Sequence, residues 1–167
     1  STMLDLARSI ALFKPTVENY VRGTPAALLV VEFAESDAAG NQQKLADLSS
    51  MMAKLGYGWE KRASDVGGVV NLTETEDQSR ITEMRKSGLN IMMSMKDEAK
   101  PVSFVEDCAV ELSDLAEYTG QLTRIFEKYG TTGTWYAHAS VGCLHVRPVL
   151  NMKRSDGVAA MRGIAEE

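Results

Sequence analysis

Between residues 113 and 150 the sequence changes period, and that change limits the folds open to the chain. Leu115, Tyr118, Leu122, Ile125, Phe126 and Tyr129 recur at helical spacing. Ser113 stands where an N-cap belongs, and Gly130 stands where a left-handed cap closes a helix. Directly afterwards "GTWYAHASVGCLHVRPVL" (133–150) reads as two short strands around Gly142. A helix with one apolar side, followed by paired strands, buries that side against a sheet face.

The rest of the chain extends this pattern. Apolar residues at Met3, Leu4, Ala7, Ile10 and Ala11 predict a helix over 2–13 that Pro15 ends. "AALLVVEF" (26–33), entered through "GTP", predicts a buried strand. Leu45, Leu48, Met51, Met52 and Leu55 form one face of a helix over 41–55, with Gly56 as its cap. "GGVVNLTE" (67–74) predicts another strand. Thr75 and Gln78 then make a capping box for a helix reaching Lys86. "GLNIMMSMKDEAK" (88–100) has no clear period and reads as a loop or irregular strand. Pro101 opens a strand in which Ser103, Val105, Asp107 and Ala109 share a face. A last helix is predicted in "SDGVAAMRGIAEE". Two βαβ-like units point to an α+β fold with ferredoxin-like layers: a mainly antiparallel sheet with helices packed on one face. The same alternation also fits a parallel α/β sheet.

The 167 residues suit a single domain, 1–167, large enough for a core without disulfide or metal staples. The net charge of −5 argues against nucleic acid as a partner, because phosphate contacts need a basic surface. No apolar run approaches the roughly 18 residues of a membrane span, so no transmembrane segment is expected. The opening residues carry Arg8 inside their apolar run and no basic leader, unlike a signal peptide. Cys108 and Cys143 form no motif and fit a reduced, cytoplasmic setting.

Both histidines of the chain, His138 and His145, fall in the strand pair. A hairpin centred between Val141 and Gly142 sets His138 opposite His145, Tyr136 opposite Arg147 and Ser140 opposite Cys143. All six then lie on one face, with Trp135, Ala137, Leu144 and Val146 on the other. Opposed Cβ atoms about 4.5–5.5 Å apart would let two imidazoles hold one metal ion. A neighbouring arginine and tyrosine suit an anionic substrate. Glu106 and Asp107 become third-ligand candidates if their strand lies alongside. The alternative is two strand histidines satisfied by neighbours.

"YAHASVGCLHVRP" resembles the histidine motif of the C-terminal domain of FAD-linked oxidases related to D-lactate dehydrogenase, glycolate oxidase and D-2-hydroxyglutarate dehydrogenase. That motif runs His, two residues, Asp-Gly-Asn, one residue, His. His138, Gly142 and His145 keep its spacing, while Val141 and Cys143 replace its Asp and Asn. "AALLVVEF" resembles the first core strand of the family, and "FVEDCAVELSDLAEY" its strand-to-helix step. Further departures are Val105 for a common lysine, Glu111 for proline and Arg147 for asparagine. They bear on the identity of the substrate rather than on flavin chemistry. The version here looks most like long forms fused to an iron–sulfur region.

The resemblance implies the substrate-side domain of an FAD-dependent enzyme that oxidises a D-2-hydroxy acid to the 2-keto acid. His138 and His145 would be its catalytic and metal-binding residues, with a divalent cation such as Zn²⁺ or Mn²⁺. Arg85, in "ITEMRKS", would hold the substrate carboxylate, helped by Arg147 and Tyr136. FAD would be bound by another domain of the parent protein, since no glycine-rich pyrophosphate segment is found in this chain. A glutamate segment completing the metal site would lie beyond Glu167. The 167 residues alone are therefore expected to be inactive. The parent enzyme is expected in the cytoplasm or peripheral to the inner membrane, with iron–sulfur clusters as additional cofactors. Two other classes fit the residues: a non-catalytic ferredoxin-like ligand-binding or interaction module, and, lower in rank, a metal hydrolase, although no HExxH signature is present.

Overall fold

A computed structural model of the chain describes residues 2–59 and 67–167. They form two compact units, Ser1–Gly88 and Leu89–Glu167.

The first unit is helical. Helix α1 (Thr2–Ser9) is followed by α2 (Lys14–Tyr20). Pro15 does not end a long helix as predicted but sits in the first turn of α2. There its missing N–H costs nothing and its fixed φ favours the helix. Leu4 and Ala7 of α1, Val17 of α2 and Val21 after it are buried. Helix α3 (Ala38–Lys54) starts at Asp37, whose side chain accepts a hydrogen bond of 2.7 Å from the Gly40 N–H. It is closed by Gly56 at φ +97, in the conformation expected of a glycine cap. Helix α4 (Thr75–Lys86) occupies the predicted span. Its N-cap is Glu74 rather than Thr75, and the Gln78 side chain reaches back to the Leu72 carbonyl instead of closing a capping box.

Neither strand predicted in this unit forms. Residues 26–33 and 67–74 have no ladder partner among the described residues. Leu28 to Val31 are exposed, Leu29 by 73%. A run of β-favouring residues becomes a strand only where another edge takes up its N–H and C=O groups.

The predicted loop at the start of the second unit contains a short helix, α5 (Gly88–Met93), with Ile91 and Met92 buried. The remainder is layered. Strands β1 (Lys100–Pro101), β2 (Val105–Ala109), β3 (Gly133–His138) and β4 (Cys143–Leu150) form a wholly antiparallel sheet. The central strand is β4, with β3 along one edge and β1 then β2 along the other. Burial alternates strictly along β4. Leu144, Val146 and Leu150 pack against Leu122 and Phe126 of α6 (Leu115–Lys128) and Ile164 of α7 (Ser155–Glu166). Trp135 and Ala137 of β3 join the same core. The α+β class, the antiparallel sheet and the helices on one face agree with the sequence reading. The start of α6 does not: Asp114 is its N-cap, and the Ser113 hydroxyl bonds the Asp114 carboxylate instead of the helix.

Candidate functional site

The face of β3 and β4 turned away from α6 and α7 carries the polar residues. The turn between these strands decides their register. Residues 139–141 form one 3₁₀ turn, closed by Gly142 at φ +66. A Cβ at Gly142 would lie 1.9 Å from the Val110 carbonyl oxygen, so both the backbone angle and the space require glycine. This turn sets Tyr136 opposite His145, His138 opposite Cys143 and Thr134 opposite Arg147. The predicted pairing of His138 with His145 is therefore off by two residues. A shift of two preserves faces, whereas a shift of one would reverse them. His138, Tyr136, Cys143, His145 and Arg147 thus still share a face. Ser140 leaves the ladder and lies in the turn.

The three rings form a cluster. The centroids of His138 and His145 are 5.3 Å apart, with Tyr136 at 6.2 Å from the first and 6.0 Å from the second. Two imidazoles on one tetrahedral metal ion, with nitrogen–metal bonds of about 2.0–2.1 Å, have centroids roughly 5 Å apart. The spacing therefore fits a shared cation.

A bulge in β2 completes the face. Val105 pairs with Val146 and Cys108 with Leu144, so the register shifts between them. Asp107 takes φ +54, a left-handed conformation that aspartate tolerates. The predicted alternation of Ser103, Val105, Asp107 and Ala109 fails here. Instead both Glu106 and Asp107 reach His145. Glu106 Oε2 lies 3.0 Å and Asp107 Oδ1 3.2 Å from His145 Nδ1. Arg147 Nε donates to Glu106 Oε1 at 2.5 Å, and Ser103 donates to the same oxygen at 2.8 Å. Burial raises the Glu106 pKa, but the bonds from Arg147 and Ser103, the Arg147 charge and the His145 contact together hold it below the ordinary value. Glu106 therefore carries negative charge between two basic side chains.

Cys108, across the bulge, belongs to the other side of the sheet. Burial and a bond with Cys108 push the Tyr118 phenol up to about 12. Cys143 sits on the histidine face, where one of its ladder partners is His138. Arg85 lies in the last turn of α4, in the first unit.

The sequence reading missed Glu106 as the group that holds both His145 and Arg147. Its adjacency to Asp107 was visible, but a bulge leaves no periodic signal.

The sequence matches the family of FAD linked oxidases, C-terminal domain, over residues 2–167. The chain belongs to this family. Its members among curated relatives include the D-2-hydroxyglutarate dehydrogenase of Pantoea ananatis, 29% identical over 174 aligned positions, covering 100% of this chain and 16% of that protein. The protein of that name from Escherichia coli is 28% identical, with the same coverage of both. The one from Pseudomonas putida is 33% identical over 91 residues, covering 54% of this chain and 9% of its own length. The chain thus spans about a sixth of the length of the first two relatives, at 16%. No solved structure matches it. Among the described residues, no helix is long and apolar enough to cross a membrane.

Proposed function

We propose that this FAD-linked oxidase domain forms the substrate side of an enzyme that oxidises a D-2-hydroxy acid to the 2-keto acid. The observation that carries the reading is the cluster of His138, His145, Tyr136 and Arg147 on one sheet face, backed by Glu106. The names of its relatives favour 2-hydroxyglutarate over lactate or glycolate as the substrate.

FAD, bound by another domain of the parent protein, supplies the hydride acceptor. A divalent cation such as Zn²⁺ or Mn²⁺, held by His138 and His145, supplies Lewis acidity toward the substrate hydroxyl and carboxylate. The chain's own residues do the rest. Glu106 accepts from Arg147 and pairs with His145, fixing the orientation of both side chains. Arg147, anchored through Nε, uses its remaining N–H groups on a substrate carboxylate, and Arg85 holds the same class of group. Tyr136, whose ring lies 6.2 Å from that of His138 and 6.0 Å from that of His145, would contact the substrate from the same face. The C2 hydroxyl proton would pass to a base outside these two imidazoles as the C2 hydride departs, because each imidazole on the cation carries N–H on its second nitrogen.

The long form of the parent protein would add iron–sulfur clusters to carry electrons onward, in the cytoplasm or at the periphery of the inner membrane. The 167 residues alone would hold no flavin and turn nothing over.

The test is anaerobic bleaching of the flavin in the parent protein on addition of D-2-hydroxyglutarate, D-lactate or glycolate. One of these bleaches the wild type. A His138→Ala, His145→Ala double variant keeps its FAD and stays yellow. Equal bleaching of both proteins would overturn the reading.

A further inference from the structure

Two histidines make a weak metal site, and the face that bears them offers further donors. One nitrogen of His145, Sγ of Cys143 and a carboxylate oxygen of Asp107 all lie within 4.8 Å of one another. The three come from two neighbouring strands. Cys143 and His145 stand two apart on β4, hence on one face, and Asp107 is brought over them by the β2 bulge. Cys143 is a free thiol, and Asp107 is 83% exposed at its side chain, which leaves the cluster an approach from water.

We propose that Cys143 and Asp107 ligate the same cation as His145, giving this chain a mixed nitrogen, sulfur and oxygen site of its own. The proposal deepens the reading above and rests on it for the role of His145. Distance and donor chemistry both favour this ligand set. Donors around a tetrahedral ion, with bonds of about 2.0–2.3 Å, stand roughly 3.3–3.7 Å from one another, so the widest gap closes by at most about 1.5 Å on binding. Two of the donors, a carboxylate and an imidazole, suit many divalent ions. A thiolate narrows the choice to borderline-soft ions, Zn²⁺ or Co²⁺, and disfavours Mg²⁺ and Mn²⁺. On binding, the thiol proton passes to solvent and the sulfur–metal bond forms. Glu106, against His145 Nδ1, is the outer partner that fixes the imidazole. With His138 these make four protein ligands, and a substrate oxygen would join as a fifth.

The replacement that looks least conservative in this chain, cysteine in the histidine motif, thereby acquires a role. In place of a neutral amide the site gains a negatively charged soft donor.

The test is titration of the 167-residue chain with Co²⁺, read by absorption, followed by displacement with Zn²⁺. The proposal predicts a near-ultraviolet sulfur-to-cobalt charge-transfer band that saturates with one ion per chain and disappears when Zn²⁺ is added. Cys143→Ser abolishes the band, and Asp107→Asn, which keeps a residue that tolerates positive φ, requires more Co²⁺ to reach saturation. Circular dichroism of each variant checks that it is folded. Co²⁺ binding without the sulfur band would overturn the role of Cys143 while leaving the paired histidines as ligands. A chain that binds neither ion would overturn the self-contained site, and the flavin-bleaching experiment would still decide the enzymatic reading separately.

Discussion

Glu106 has two basic partners and only one charge, so its ionisation controls the polar face. Its side chain is 24% exposed and that of Arg147 18%, which places the pair between surface and core. Removing the charge leaves a half-buried guanidinium poorly compensated, at a cost of about 1–2 kcal/mol near neutral pH. Glu106→Gln tests this. The carboxyl is held below its ordinary value of 4.5, so its contribution is complete above that value and is lost as pH falls through the lower, folded one. Urea denaturation of wild type and variant should therefore show a clear stability gap at pH 7 that narrows steadily in acid. A gap of the same size at both ends would mean that shape, not charge, is what Glu106 supplies. At this scale the sequence was partly readable. The side chains of the histidine face other than Ser140 could be assigned by alternation, because an even slip in register leaves their face unchanged. What alternation cannot reveal is a residue such as Asp107 at φ +54, where the chain departs from the period on which the assignment rests.

Among the elements, α6 and the run 26–33 show that the more apolar sequence is not the one that is buried. Phe126 is 1% exposed, and its ring lies 6.0 Å from that of Trp135. Leu29, in a run richer in β-branched neighbours, is 73% exposed. Phe126→Ala should destabilise the chain by about 3–5 kcal/mol, whereas Leu29→Ser should change it by no more than about 0.5 kcal/mol. Comparing the two urea midpoints checks the difference, and a large loss from Leu29→Ser would show that the run is buried in solution. The helix was legible because its stripe is long enough to display a period. The apolar run was misread because a strand is defined by its partner, which local sequence does not contain. Helix α5 was missed for a third reason: six residues are fewer than two turns, too short for periodicity to register.

For the whole molecule, the decisive property is that the polar face and the core beneath it belong to one unit. Every residue of the cluster built on Leu122, Phe126, Leu144, Val146, Leu150 and Ile164 lies within Leu89–Glu167. So do His138, His145, Glu106, Asp107, Cys143 and Arg147. Sheet, covering helices and polar face are thus encoded in one contiguous stretch, in which β3 and β4 are joined by a short turn while β1 and β2 pair with β4 across α6. A polypeptide of residues 89–167 should consequently fold on its own. Its size limits the gain, since a core in so short a chain rarely supplies more than about 3–5 kcal/mol. Trp135 is the sole tryptophan in that span and lies in the core, so its fluorescence reports the packing directly. Urea should produce one sigmoidal transition, and Zn²⁺ should move its midpoint upward, because an ion that binds only the folded form adds its binding energy to stability. A gradual, featureless loss of fluorescence would mean that the sheet needs residues 1–88 to hold its shape. The polar face would then be a property of the entire chain, and no shorter piece would reproduce it.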